Sequence, residues 1–247
     1  MVTAAPQDQW RLLDVQDHDT KLAQLAHRRA GLPEHVEVDQ VSRRLKAVAD
    51  ELITARTVES DITRELKKAE GDVELVRTRA ARNQSRLDSG QGTVKDLQAL
   101  QHDIESLAQR QSVLEDIELE VMERLEAAQA GVAAVTADQA RFEVELADAV
   151  KRRDAALAAI DDEVSGVQRA RVNAAAGLPA DLLALYEKVC ESGGGIGAAR
   201  IRSRRCEGCR IELNPTDLNR IRSAAENEVV RCEECRRILV RTPDSGL

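Results

Sequence analysis

Apolar side chains recur along most of the chain at the three-and-four spacing of a helix that buries one stripe. The first such stretch runs from Gln7 to Arg82 and opens with Leu12, Leu13, Leu22 and Leu25. Gly31-Leu32-Pro33 interrupts it, because glycine is a weak helix former and proline lacks a backbone donor. A kink is expected near 31–33, with Pro33 in the first turn of the continuing helix. Beyond it, Val41, Leu45, Val48, Leu52, Ala55, Ile62, Leu66, Ala69, Val73, Val76 and Ala80 step by four and three, with Glu59 in the one missing place. That is the seam of a left-handed coiled coil. Residues 83–93, with two glycines and several small polar side chains, predict a turn. Thr93 fits an N-cap and Asp96 completes a capping box. A second arm, Val94 to Val172, carries Leu97, Leu100, Ile104, Leu107, Leu114, Ile117, Val121, Leu125 and further apolar positions to Val167. A stutter at Val121-Leu125 is expected to unwind the supercoil locally.

The two arms are nearly equal, roughly 115–120 Å each at the helical rise. Neither is apolar all round, so each needs a partner to stay helical. Equal arms joined by a short glycine-containing loop predict an antiparallel hairpin. Gly177-Leu178-Pro179 ends the second arm, and a short helix from Ala180 to Cys190 presents Leu182, Leu183, Tyr186 and Val189 on one face. Ser192–Gly197 then reads as a hinge; it lacks a following Lys-Ser/Thr, so it fits neither nucleotide-binding loop. Short strands are expected at 199–202, 211–213, 229–231 and 238–241, and a helix capped by Asn214 runs through Arg222. The expected fold is mainly α: a long antiparallel coiled-coil hairpin over residues 1–176, a short helix and glycine-rich hinge over 177–197, a small β-rich module over 198–242 and a tail over 243–247.

Composition supports this division. Of 247 residues, aromatics are 1% and charged residues 32%, the mix of long helices rather than of a large globular core. The first residues show no basic-then-apolar leader pattern, and no stretch reaches the length of a membrane-spanning helix, so a soluble, cytoplasmic protein without a membrane partner is expected.

The chemistry gathers near the end of the chain. Cys206-Glu-Gly-Cys209 and Cys232-Glu-Glu-Cys235 are two Cys-x-x-Cys pairs separated by twenty-two residues. Each pair makes a knuckle whose sulfurs point the same way, and two knuckles close a tetrahedral four-sulfur shell around one Zn²⁺. Disulfides or a redox dithiol compete with this reading, but an isolated redox motif needs no second matched pair. A full shell leaves no open position for a catalytic water, so the zinc is expected to be structural. So few apolar residues lie around the knuckles that the metal is expected to be required for folding. Cys190 is left over, which suits a reducing compartment. His18, His27, His35 and His102 are scattered, and no nucleophile with a paired base stands out, so neither an enzyme nor a small-molecule substrate is expected.

Charge is uneven. Between residues 196 and 242 there are eleven arginines, no lysine and seven acids, a net +4, while the whole chain carries −8. Four thiolates with Zn²⁺ lower the module to near +2. An Arg-rich module on an acidic stalk points to an anionic partner, RNA, DNA or an acidic protein face. Arginine in place of lysine favours bidentate contacts with phosphate or carboxylate. Arg200, Arg202, Arg204, Arg205, Arg210, Arg236 and Arg237 are the candidate nucleic-acid contacts. The module itself contains no Phe, Tyr or Trp, which argues against base stacking by it. The alternative is a protein scaffold acting through the coiled-coil faces.

With these motifs in place the chain resembles bacterial proteins built from an N-terminal helical hairpin and a C-terminal four-cysteine zinc ribbon, among them the FlgZ-like flagellar regulators. Residues 95–107 after the turn, Gly194-Gly-Ile-Gly-Ala-Ala199, the two knuckles and Leu213-Asn-Pro-Thr-Asp-Leu218 carry the resemblance. It implies a coiled-coil hairpin, a zinc ribbon held by the four cysteines, and roles in RNA binding or as a chaperone for an alternative sigma factor.

Overall fold

A computed structural model describes residues 2–247. The elements are α1 (Pro6–Ala30), α2 (Pro33–Asp88), α3 (Val94–Ala175), α4 (Ala180–Ser192), β1 (Ala198–Arg202), β2 (Arg205–Cys206), α5 (Pro215–Ser223), β3 (Val230–Arg231) and β4 (Ile238–Val240), with a 3-10 turn at Pro243–Ser245. They divide into two compact parts. One takes in the chain up to His35 together with Lys151–Leu247, and the other is Val36–Val150.

In the 36–150 part, α2 and α3 run antiparallel, as the order of their ion pairs shows: Glu65–Arg124, Arg77–Glu115 and Arg79–Asp103. Seam residues Val41, Leu52, Ile62, Ala69 and Val73 of α2 and Leu107, Leu114 and Val121 of α3 are buried. These ion pairs are exposed, so burial rather than charge holds the arms together. The turn is shorter than its sequence suggests. Helix α2 runs on through residues 83–88, where composition predicts the turn, and only 89–93 leave the helix. The reason is that Asn83 and Leu87 continue the three-and-four spacing. Asn83 is buried in the seam and satisfies its amide on Asp103 at 2.8 Å. Gly90 and Gly92 take the positive φ values the remaining turn requires. Thr93 and Asp96 form the reciprocal cap: the Asp96 amide donates to Thr93 Oγ1, and Asp96 Oδ2 accepts from the Thr93 hydroxyl and amide. Those bonds, the hydroxyl's first, hold the Asp96 carboxyl below the usual carboxylate range.

In the other part, α1 ends at Ala30 and the Gly31 amide donates back to the His27 carbonyl. Alpha1 lies along the end of α3 through Arg28–Glu163 at 2.6 Å, an Asp19–Arg171 pair and a small core of Leu25, Leu32 and Ile160. The sheet order is β2-β1-β4-β3, with β1 and β4 parallel and both outer pairs antiparallel. Alternation along β1 and β4 gives each sheet face its own core. Ala198, Ile238 and Val240 meet Leu12, Val15, Leu182 and Tyr186 of α1 and α4. Ala199, Ile201, Val230 and Leu239 meet Leu218 and Ile221 of α5 and the cysteines.

Two expectations change here. Residues 211–213 form no strand: Glu212 makes one bridge to Arg205, and the strand facing β1 is β2. The first knuckle lies between Cys206 and Ile211, and it uses up the residues that would have extended a strand. Residues 192–197 are a pinned connection rather than a hinge. Gln16, 6% exposed, accepts at Oε1 from the Gly197 amide (2.7 Å) and the Ala198 amide (3.3 Å), and its Nε2 donates to the Gly195 carbonyl (3.0 Å). A Cβ on Gly197 would lie 2.7 Å from the Tyr186 carbonyl oxygen, so glycine there permits close approach. The tail, residues 243–247, holds a 3-10 turn at Pro243–Ser245. Ser245 is 2% exposed and forms a capping box with Thr242.

Candidate metal centre and arginine surface

The two knuckles are built alike. The amides of Gly208 and Cys209 point at the Cys206 sulfur, and those of Glu234 and Cys235 point at the Cys232 sulfur. Each knuckle closes with an amide-to-carbonyl bond, Arg210 to Cys206 (2.7 Å) and Arg236 to Cys232 (2.9 Å). The closing residues Arg210 and Arg236 both adopt φ of +63°, a conformation natural to glycine. Ser203 and Arg204, at the β1–β2 turn, also have positive φ, as a two-residue hairpin turn of this hand demands.

The four sulfurs come together. Cys206 Sγ lies 3.8 Å from Cys235 Sγ, Cys209 Sγ lies 4.0 Å from Cys232 Sγ, and all four fall within 4.8 Å of one another. These separations are far beyond a disulfide bond. A tetrahedral zinc with bonds of about 2.3 Å has sulfur–sulfur edges of about 3.8 Å. Cys206, Cys209, Cys232 and Cys235 therefore hold one structural zinc in a C4 ribbon. Burial pushes the Cys206 and Cys232 thiols up, against the amides aimed at them. Burial acts the same way on Cys235, but the Arg237 amide and the neighbouring thiols outweigh it and bring that thiol down. The metal adds what such a pocket needs, a divalent charge that keeps all four sulfurs deprotonated.

The candidate arginines divide by environment. Arg237 is half-buried and donates to the carbonyls of Gly193, Ile196 and Gly208, tying the connection after α4 to the first knuckle. Its Nε, Nη1 and Nη2 each make a bond within the fold, which sets Arg237 apart from the other candidate arginines. Arg236 pairs with Glu233 at 3.5 Å, Arg200 lies 4.0 Å from Asp17, and Arg202 lies 3.8 Å from Glu207. Arg204, Arg205 and Arg210 are exposed and have no acidic partner among the described residues. The second knuckle carries exposed Glu233 and Glu234. Among the candidate arginines, the free positive charge therefore lies on the β1–β2 turn and the first knuckle.

Sequence reasoning missed two residues that shape this region. Arg241 donates to the carbonyls of Ile221, Ala224, Ala225, Glu226 and Glu228 and so organises the whole bend after α5. Trp10, on α1, donates from Nε1 to the Arg241 carbonyl at 2.7 Å and stays 44% exposed. The first reaches carbonyls 13 to 20 positions upstream, which no local pattern marks. The second involves a contact across 231 positions and left no local signal.

A helical hairpin joined to a four-sulfur ribbon defines a coiled-coil zinc-ribbon protein. The chain belongs to the CT398-like coiled coil hairpin domain family, which matches residues 15–194, and it carries a C4-type zinc ribbon domain over residues 205–239. It is similar to the uncharacterized protein Rv2229c of Mycobacterium tuberculosis, 38% identical over 230 residues, or 93% of this chain and 94% of that one. A solved structure from Mycobacterium smegmatis is 33% identical, with a TM-score of 0.87 over 98% of this chain and 100% of that chain. The structure of CT398 from Chlamydia trachomatis gives 0.69 at 16% identity, over 96% of this chain and 98% of its own. The HP0958 protein from Helicobacter pylori gives 0.51 at 12% identity, over the same shares. The last two are likenesses of fold alone. No helix among the described residues is long and apolar enough to cross a membrane.

Proposed function

We propose that this chain is a non-enzymatic, zinc-binding adaptor that binds nucleic acid through the arginines of its ribbon. The observation that supports this most is the exposed, unpaired trio Arg204, Arg205 and Arg210, flanked by Arg202, on the β1–β2 turn and the first knuckle, which the zinc and the strands hold rigid. Arg204 and Arg210 occupy left-handed backbone positions where glycine would cost less, so their side chains are kept at some expense in stability. Rigid guanidinium groups suit phosphate, which they grip bidentately. Zinc thiolates of this kind suit the reducing cytoplasm. The test is fluorescence anisotropy of the zinc-loaded protein with labelled RNA and DNA across a salt series. Affinity should fall steeply with salt, and Arg202, Arg204 and Arg205→Ala together should lower the slope by about two to three units. Absence of salt-dependent binding would refute the proposal.

A protein scaffold or chaperone role for a transcription-related partner such as a sigma factor is the second reading. It draws on exposed apolar side chains of the helices, Ile53 (66% exposed), Leu75 (70%) and Leu119 (58%). A purified partner retained by Ile53, Leu75 and Leu119→Ser protein as well as by the native chain would count against it.

A further inference from the structure

The ribbon contains no aromatic residue of its own, yet the fold brings one to it. Trp10 is the chain's single tryptophan, and its indole is fixed by the bond to the Arg241 carbonyl while nearly half its surface stays in solvent. It forms one wall of a cleft of about 400 Å³ whose other walls are Pro6, Gln9, Glu226 and Arg241. The cleft is preformed. Gln9 is 2% exposed and bonded to the Ala4 and Glu226 carbonyls, and Arg241 is anchored by the five carbonyls of the bend after α5.

This cleft lies close to the unpaired arginines. Beta1 and β4 are parallel, with Arg200 opposite Val240, so both strands leave the sheet at the same edge. From Arg241, which holds Trp10, the chain runs only four residues to Ser245. There the Asp244 and Ser245 carbonyls accept from the amides of Ser203 and Arg204 in the arginine turn. Even fully extended, those four residues span about 14 Å. An exposed aromatic face and a basic turn are thus joined by a short, hydrogen-bonded strap.

We propose that this edge is a single-stranded nucleic-acid site: the backbone lies on Arg202, Arg204 and Arg205, and one unpaired base stacks on Trp10. The inference rests on the nucleic-acid reading of the ribbon and adds which form of nucleic acid is bound. A π face accepts any base, whereas a paired base in a duplex cannot reach it. Glu226, which lines the cleft, brings a negative charge that disfavours phosphate there, so the cleft takes the uncharged base and the turn takes the charge.

The single tryptophan makes the test direct. Zinc-loaded full-length protein is titrated with a labelled ten-residue oligo(A), with a duplex of the same length and with poly-glutamate. Anisotropy and Trp10 emission are followed together. Oligo(A) should quench Trp10 with the midpoint seen by anisotropy, and the duplex should not quench. Trp10→Ala should weaken oligo(A) binding about 5- to 100-fold. Trp10→Phe, which keeps a ring but not the bond to Arg241, should weaken it less; a thermal melt checks that both variants fold. Binding of oligo(A) with unchanged Trp10 emission and an unaffected Trp10→Ala variant would overturn the stacking site and leave the ribbon reading standing. Quenching by poly-glutamate alone would overturn it in favour of an acidic protein, and no binding of either nucleic acid would overturn both readings.

Discussion

Replacing Gln16 with methionine should loosen the join between α1 and the ribbon far more than a single surface change would. Methionine keeps the length and bulk of the side chain, so the effect isolates the lost hydrogen bonds. Two buried amides, those of Gly197 and Ala198, lose their acceptor, and the Gly195 carbonyl loses a donor. Tyr186 keeps its bond to Asp19 at 2.7 Å, and Gly195 is exposed enough to turn to water. An orphaned buried group costs about 1–3 kcal/mol, and the Ala198 bond at 3.3 Å is the weaker of the two. The sum is about 2–4 kcal/mol, a large share of the stability of a typical domain. Amide hydrogen exchange reads this locally: the Gly197 and Ala198 amides should exchange about 30- to 1,000-fold faster in the variant. Thr20→Ala, which removes another partner of the same side chain, should change them little. If Gln16→Met behaves like Thr20→Ala, Gln16 does not pin the glycine-rich connection, which is then the free hinge its composition suggests.

Stripping the zinc with a chelator should unfold residues 198–240 and leave the helical circular dichroism nearly intact, with five thiols reacting instead of one; loss of the helical signal would contradict a zinc role confined to the ribbon. Arg210→Gly and Arg236→Gly should each stabilise the zinc-loaded ribbon by about 0.5–1 kcal/mol through relief of a left-handed arginine, measured as a raised Tm, and Arg210→Gly should at the same time weaken nucleic-acid binding. The Arg28 guanidinium holds Glu163 below the usual carboxylate range. A depressed carboxyl contributes stability above its unfolded pKa and loses it as pH falls, so Arg28→Ala should lower Tm at pH 7 and have a smaller effect near pH 3.

Much of the fold is legible in the sequence because it rests on local rules. The three-and-four seam, the capping box at Thr93 and Asp96, and the paired Cys-x-x-Cys motifs each depend on neighbours within a few positions. The seam also contained the truth about Asn83 and Leu87, but polar composition masked it. Other features depend on distant partners. Gln16 reaches residues 195–198 across some 180 positions, and Arg237 ties the first knuckle to the end of α4 across as many as 44. A glycine-rich run looks mobile until such partners are known. The arginine count gives a net charge, but charge alone does not separate Arg204, Arg205 and Arg210, which face solvent, from Arg237 and Arg241, which donate to carbonyls within the fold.

Contact of the zinc-held arginine turn with nucleic acid in the cell is what the proposed function requires. Ultraviolet crosslinking in native lysate, followed by recovery of the protein with and without nuclease and mapping of the modified peptides, tests it most directly. Nuclease-sensitive crosslinks within residues 198–212 and at Trp10 are the expected result. Crosslinks confined to the hairpin, or a recovered complex that nuclease leaves unchanged, would contradict it.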